Sequence, residues 1–328
     1  MLYIKNRIRL KGEYQFFMHQ FVETCISNGF TSKRDIMPSY KYHIRSIFRR
    51  ILIMFYKVMP FFVRRKSSII ITSRGGELFD NIFPYYNYEI VPMMWDVWPY
   101  TWRNMYRDLK RFHVKTVFVT ARSVAEKIKK ELGINAYWIP EGIDTSIYKK
   151  GLVLDQRKND ILEMGRKMGK YHRIIDKLSL ESRIHGALAT SKSTDGVLGS
   201  KTMVFQSHQE LVENIPNFKI LVCFPQCDTN TEKAGDIETL TQRYWEGMLS
   251  RCLIVGRVPQ ELVDLIGYNP VINVNWDNPE EQLINILQNV SSYQDLVDKN
   301  YESAIKYASW ESRMPLFRKY LIDSGYII

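Results

Sequence analysis

From residue 67 onward the chain alternates short apolar runs with amphipathic stretches. SSIIITS (67–73), YEIVPMMW (88–95), KTVFVTA (115–121) and AYWIPEG (136–142) are dense in β-branched and aromatic residues, as strands buried on both faces are. After the third run, SVAEKIKKELG has helical spacing and stops at Gly133. Residues 143–158 are polar and basic and read as a linker. The alternation then restarts. NDILEMG (159–165) is a strand ending in Gly165-Arg166, and KYHRIIDKLSL is a helix. KTMVFQS reads as a strand, HQELVENIPN as a short helix, and FKILVCFPQ (218–226) as a strand followed by a polar loop. ETLTQRYWEGMLS (238–250), PQELVDLIG and NPEEQLINILQNV read as helices, with CLIVG (252–256) and NPVINVN as the strands between them. This order predicts an α/β chain with two doubly wound parallel sheets. The expected domains are residues 1–150 and 151–305, with 306–328 a terminal helix packing back toward the first.

The first 66 residues depart from this pattern. EYQFFMHQFVETCISN (13–28) reads as a helix ending before Gly29. Residues 40–58 set Ile44, Ile47, Phe48, Ile51, Leu52 and Phe55 beside Arg45, Arg49, Arg50 and Lys57. Such a segment suits an interfacial helix, whose apolar face is flanked by cations. It equally suits a core helix with snorkelling basic side chains. Residues 1–66 hold fourteen Lys and Arg against Glu13, Glu23 and Asp35, which accounts for the whole net charge of +11. The excess points to an anionic partner there, either a membrane surface or a phosphate-rich acceptor.

Composition narrows the class. Apolar residues make up 45% and charged residues 25%, which excludes a disordered chain. Cys25, Cys223, Cys227 and Cys252 lack the spacing of a zinc site and read as reduced thiols. No 18-residue apolar run occurs, and Lys5, Arg7, Arg9 and Lys11 interrupt any leader. The expected location is the cytoplasm, or the periphery of the inner membrane face. No nucleic-acid-binding signature is present, so nucleic acid is not an expected partner. The six histidines show no triad or metal spacing, and His172 and His208 read as surface or cleft-edge residues.

Candidate chemistry gathers where strands end, because ligands of open parallel sheets bind beyond the carboxyl ends of the strands. Gly165-Arg166, with Lys170 four residues on, offers a fork and a point charge suited to a diphosphate. Glu238 and Glu246 lie eight residues apart, so a regular helix through both puts them on nearly one face. Tyr244, Trp245, Met248 and Leu249 mark that helix as buried, and a buried acid needs a partner. In the first half, Gly75-Gly76 would let a ligand approach closely. Asp96, just after a strand, would orient an acceptor hydroxyl or cap a loop.

Five segments in order then resemble one family. WIPEGIDTSIY (138–148), ILEMGRKMGK (161–170), ETLTQRYWEGMLSRCLIVG (238–256), WDNPEEQLINIL (276–287) and KYASWESRMPLF (306–317) resemble segments of the retaining GT-B glycosyltransferases, especially family 4. The second of these is similar to that family's phosphate-binding stretch, and the third to its E-x7-E helix. The resemblance implies two Rossmann-like domains facing a central cleft, and sugar transfer from a nucleotide-sugar donor to a saccharide or lipid-linked acceptor in glycan synthesis. It implies that Arg166 and Lys170 neutralise the donor diphosphate and that Glu238 contacts the donor sugar. Glu246 would bind the ribose, and backbone N–H groups of Thr239, Leu240 and Thr241 would hold phosphate or sugar oxygens beside Gly165. It implies no metal and no cofactor beyond the donor itself. The sequence departs from the family at Glu141, where Asn is usual, and at Tyr171, where Gly follows the phosphate-binding Lys. Arg166 and Lys170 are also one residue closer than is common. The rival reading is a non-catalytic sugar-binding or scaffold subunit of the same fold.

Overall fold

The computed structural model describes residues 1–6, 16–34, 51, 54, 67–189, 204–205 and 207–327. They form two compact units, Met1–Pro140 with Arg313–Ile328, and Glu141–Ser312. The basic stretch 40–58 lies outside the described residues except for Ile51 and Met54, both helical and exposed.

The first unit carries a six-stranded sheet in the order β2-β1-β3-β4-β5-β6. Its strands are β1 (Leu2–Asn6), β2 (Thr31–Arg34), β3 (Ser68–Arg74), β4 (Glu89–Trp95), β5 (Thr116–Val119) and β6 (Asn135–Trp138), all paired in parallel. The four runs read as strands after residue 67 are β3 to β6. β1 and β2 lie in the N-terminal segment where no strand was expected. Lys5 explains the miss. It is 2% exposed, and its Nζ donates to the carbonyls of Asn81 at 2.8 Å and Phe83 at 2.5 Å. A basic residue inside a short strand hides the strand from a hydropathy pattern. Helix Phe16–Ser27 packs Phe21 against Trp95 and Phe317, at centroid distances of 5.6 and 5.3 Å. Helix Met314–Asp323 returns to this unit, with Phe317 against Phe118 at 4.6 Å and Tyr320 stacked on Tyr137 at 4.2 Å.

The second unit repeats the same winding. Its sheet runs β11-β10-β9-β7-β8, from β7 (Asn159–Glu163), β8 (Leu188–Ala189), β9 (Phe218–Cys223), β10 (Leu253–Gly256) and β11 (Val271–Asn273). Successive residues alternate between two apolar layers. Leu162, Leu221, Cys223 and Ile254 join Tyr244, Trp245 and Met248 on one face. Ile161, Ile220, Val222, Leu253 and Val255 join Tyr171, Ile175, Leu178, Leu283 and Ile286 on the other. Helix Gln242–Leu249 therefore covers one face, and helices Gly169–Leu180 and Pro279–Gln288 cover the other. The strand expected over KTMVFQS is not formed at Val204 and Phe205, which lie in bends; Lys201 to Met203 and Gln206 are outside the described residues. The edge position beside β7 belongs to β8 instead.

Residues 143–158, read as a linker, lie within the second unit and supply one of its buried cations. Arg157 is 5% exposed. It donates to the carbonyls of Leu152 at 2.8 and 2.9 Å, Phe218 at 2.6 Å and Ser250 at 3.1 Å. Burial pulls its pKa down from the usual arginine value. The guanidinium ties the entry segment to the start of β9 and to the turn before β10. Arg157→Met should leave these acceptors unsatisfied and destabilise the chain by about 3 kcal/mol or more. Urea unfolding followed by circular dichroism checks this, and a loss below about 0.5 kcal/mol would contradict it.

Candidate active site

In the second sheet the winding reverses between β7 and β9, which places a switch point at their carboxyl ends. Beyond β7 the backbone turns through Gly165 at φ +69. The Arg243 guanidinium lies against this glycine, and a Cβ there would sit 2.4 Å from its Nη2. Glycine meets both demands without strain or crowding. Arg166 follows, half-buried, and Lys170 is exposed in the first turn of helix Gly169–Leu180.

His172, read as a surface or cleft-edge residue, packs against this loop with its side chain 19% exposed. Its Nδ1 is 2.6 Å from Oε2 of the buried Glu163, and its Nε2 is 2.6 Å from Lys167 Nζ and 3.1 Å from Asp176 Oδ2. A neutral ring satisfies the two shortest contacts, donating from Nδ1 to Glu163 and accepting at Nε2 from Lys167. Lys167 is thereby engaged within the loop.

Glu246 is the centre of the arrangement. It projects from helix Gln242–Leu249, is 8% exposed, and accepts a hydrogen bond from Tyr148 Oη at 3.2 Å. Tyr148 Oη is also 3.3 Å from His208 Nε2, so this histidine too faces inward. Burial raises the Glu246 pKa above the ordinary carboxylate value, while Arg243, His208 and the Tyr148 hydroxyl pull it back. Burial and the Glu246 charge push the Tyr148 hydroxyl well above its usual range. Arg243 stands three residues before Glu246 on the helix, hence on the same side. The sequence reading missed Tyr148, His208 and Arg243. Only Arg243 left a trace, as a cation in the first turn of a buried helix.

Glu238 is placed differently from expectation. The helix begins at Gln242 with Thr241 as its N-cap, so Glu238 lies in the preceding loop and does not share a helical face with Glu246. Helical spacing holds only inside the helix, and the loop had been counted as part of it. The Glu238 carboxylate accepts from Arg257 Nη1 at 3.0 and 3.3 Å and from the Gln260 N–H at 3.3 and 3.4 Å. Arg257 also pairs with Asp228 at 2.5 and 2.9 Å. Burial and the Asp228 charge move the neighbouring Cys227 thiol up to about 11. Of the three backbone donors expected at the phosphate, the Leu240 N–H is bound to Glu261 Oε2 at 2.8 Å. Thr239 is buried and Thr241 half-buried.

In the first unit, Asp96 follows β4 at φ +50 and pairs with Arg74 at 2.9 and 3.0 Å. Gly75 is closely approached, but by protein. A Cβ there would lie 2.8 Å from the Asp96 carbonyl oxygen, Val97 Cα and Thr101 Oγ1. The glycine pair thus lets the two strand ends close on each other.

The raised pKa of Glu246 has a consequence for stability. The folded state holds this proton more tightly than the unfolded chain does. The contribution of Glu246 to stability is therefore greatest below the ordinary carboxylate pKa of about 4.3 and falls as pH rises from there through the raised value. Glu246→Gln keeps the acceptor for Tyr148 and removes the buried charge. At pH 7.5 the variant should melt a few degrees above the parent, and the gap should close toward pH 4. A lower melting temperature at pH 7.5 would contradict this.

No protein-family model and no curated protein matches the sequence. Solved structures do match the fold. A sucrose-phosphate synthase from Thermosynechococcus elongatus superposes with a TM-score of 0.59 at 13% identity, covering 99% of both chains. Anabaena HepE in complex with UDP-glucose gives 0.57 at 8% identity, covering 98% of this chain and 99% of that one. A glycosyltransferase from Rickettsia africae gives 0.56 at 10% identity, with 99% of each chain covered. The chain has the α/β fold of GT-B glycosyltransferases, with one parallel sheet of six strands and one of five.

Proposed function

We propose that the chain is a glycosyltransferase that binds a nucleotide-sugar donor at the carboxyl ends of β7 and β9, and transfers the sugar with retention to a saccharide or lipid-linked acceptor. The observation that carries the reading is Glu246, a buried carboxylate on a helix whose Arg243 lies against Gly165 at a sheet switch point. Glu246 is suited to accept from the two ribose hydroxyls, displacing or sharing the Tyr148 bond. Arg166 and Lys170 supply the positive charge that a departing diphosphate requires, and so take the part that a metal takes elsewhere. Glu238, oriented by Arg257, faces the donor sugar, with the N–H groups of Thr239 and Thr241 near its phosphate. Leu240 is left out of this set, since its N–H serves Glu261. In the first unit, Asp96 is the acceptor-side acid, held by Arg74. The solved complex of HepE with UDP-glucose supports a sugar-nucleotide donor.

The basic N-terminal segment brings the enzyme to an anionic membrane surface on the cytoplasmic side. The exposed, helical Ile51 and Met54, three residues apart, support this. Lys5 does not contribute, because it serves the core. Each cation near an anionic leaflet adds about 1 kcal/mol.

Two measurements test the proposal. Among UDP-, GDP- and ADP-sugars, one series should raise the melting temperature. A ligand at a hundred times its Kd adds about 2.7 kcal/mol of stability. Glu246→Gln should weaken that donor about tenfold or more, and Arg166→Ala or Lys170→Ala should cut turnover with little change in the unliganded melt. No shift with any donor, or collapse of both cation variants, would refute the assignment. Co-sedimentation with anionic but not neutral liposomes should fall when Arg45, Arg49 and Arg50 are changed together to Gln, and should weaken with salt. Equal sedimentation in all cases would remove the membrane.

A further inference from the structure

Arg243 is poorly placed for stability alone. It stands in the first turn of helix Gln242–Leu249, where the partial positive charge of free N–H groups repels a cation. Arg166, in the loop beyond Gly165, adds a like charge. Among the described residues Arg243 forms neither a salt bridge nor a hydrogen bond, and its Nε is buried without a partner. Glu246 attracts it from one turn away without a direct bond. The guanidinium instead lies across Gly165, with Nη2, Cζ and Nη1 at 2.4, 3.1 and 3.4 Å from the position of a Cβ. Two unusual residues, a left-handed glycine and an unpaired arginine, are thus fitted to each other at the switch point. A buried donor group without an acceptor in the protein is one that a ligand can satisfy.

We propose that Arg243 is a phosphate ligand of the donor subsite, directed at the phosphate next to the ribose. This rests on the donor reading above and adds a residue that neither the sequence motifs nor the fold comparison assigns. The placement follows from the chain. Glu246, on the ribose side, is one turn along the same helix, and the Gly165-Arg166 loop is on the diphosphate side. A planar guanidinium between them meets the proximal phosphoryl oxygens with two parallel N–H bonds, which a lysine cannot reproduce. The bound anion also offsets the repulsion between Arg243, Arg166 and the helix end.

The test is competitive titration of the full chain with the nucleoside, nucleoside monophosphate and nucleoside diphosphate of the uridine, guanosine and adenosine series. Parent, Arg243→Gln, Arg243→Lys and Glu246→Gln proteins are compared. Arg243→Gln should weaken the monophosphate and the diphosphate about tenfold or more and leave the nucleoside unchanged, with Arg243→Lys between. Glu246→Gln should weaken all three. The unliganded melting temperature of Arg243→Gln should fall by no more than a few degrees, since Glu246 loses one of the charges that offset its burial. Parent-like phosphate binding by Arg243→Gln overturns this proposal while the donor reading stands. Equal weakening of nucleoside, monophosphate and diphosphate by Arg243→Gln makes Arg243 a general support of the site rather than a phosphate ligand and also overturns it. If the parent binds none of the nine compounds, both proposals fall together.

Discussion

A carboxylate taken out of water must be met by donors and positive charge, and the candidate site is organised around that requirement at Glu246. The Tyr148 hydroxyl comes from the entry segment, His208 from the short helix before β9, and Arg243 from the same helix one turn earlier. These groups are far apart in sequence and have no other common purpose. The residual raised pKa shows that they compensate the burial incompletely. A site that leaves a charge under-compensated when empty gains most when a ligand supplies the missing bonds, and ribose hydroxyls supply donors.

The second acid of the motif is held by a different device. Glu238 stands in a loop, where nothing in the backbone fixes its direction, and Arg257 at the end of β10 fixes it instead. Arg257 is itself anchored on Asp228, in the segment after β9. The ends of β9 and β10 thus share one chain of ion pairs. Glu261 performs the comparable task for the backbone before the helix, through the Leu240 N–H. The rigid sheet carries the groups, and the ion pairs aim them.

The second half of the fold was legible because its strands are apolar on both faces and its helices are amphipathic. Both signals survive in the bare sequence. The first two strands were not legible, since β2 is largely exposed and β1 buries a lysine whose partners are backbone carbonyls. The same limit applies at the site. Gly165, Arg166 and Glu246 could be named because loop and helix spacing are local. Helical spacing misplaced Glu238, because the start of a helix is set by its cap and not by its hydrophobic run. Tyr148, His208 and Arg257 become partners only through tertiary folding. Their side chains are ordinary in isolation, and no spacing in the chain announces them.

A nucleoside diphosphate sugar seated at the carboxyl ends of β7 and β9 against Glu246, as proposed, should shield the backbone there. Amide hydrogen exchange of the full chain, with and without the donor that raises its melting temperature, tests this most directly. Slowed exchange is expected to be confined largely to residues 163–170 and 239–248. Unchanged exchange in both segments, with protection appearing elsewhere, would contradict it.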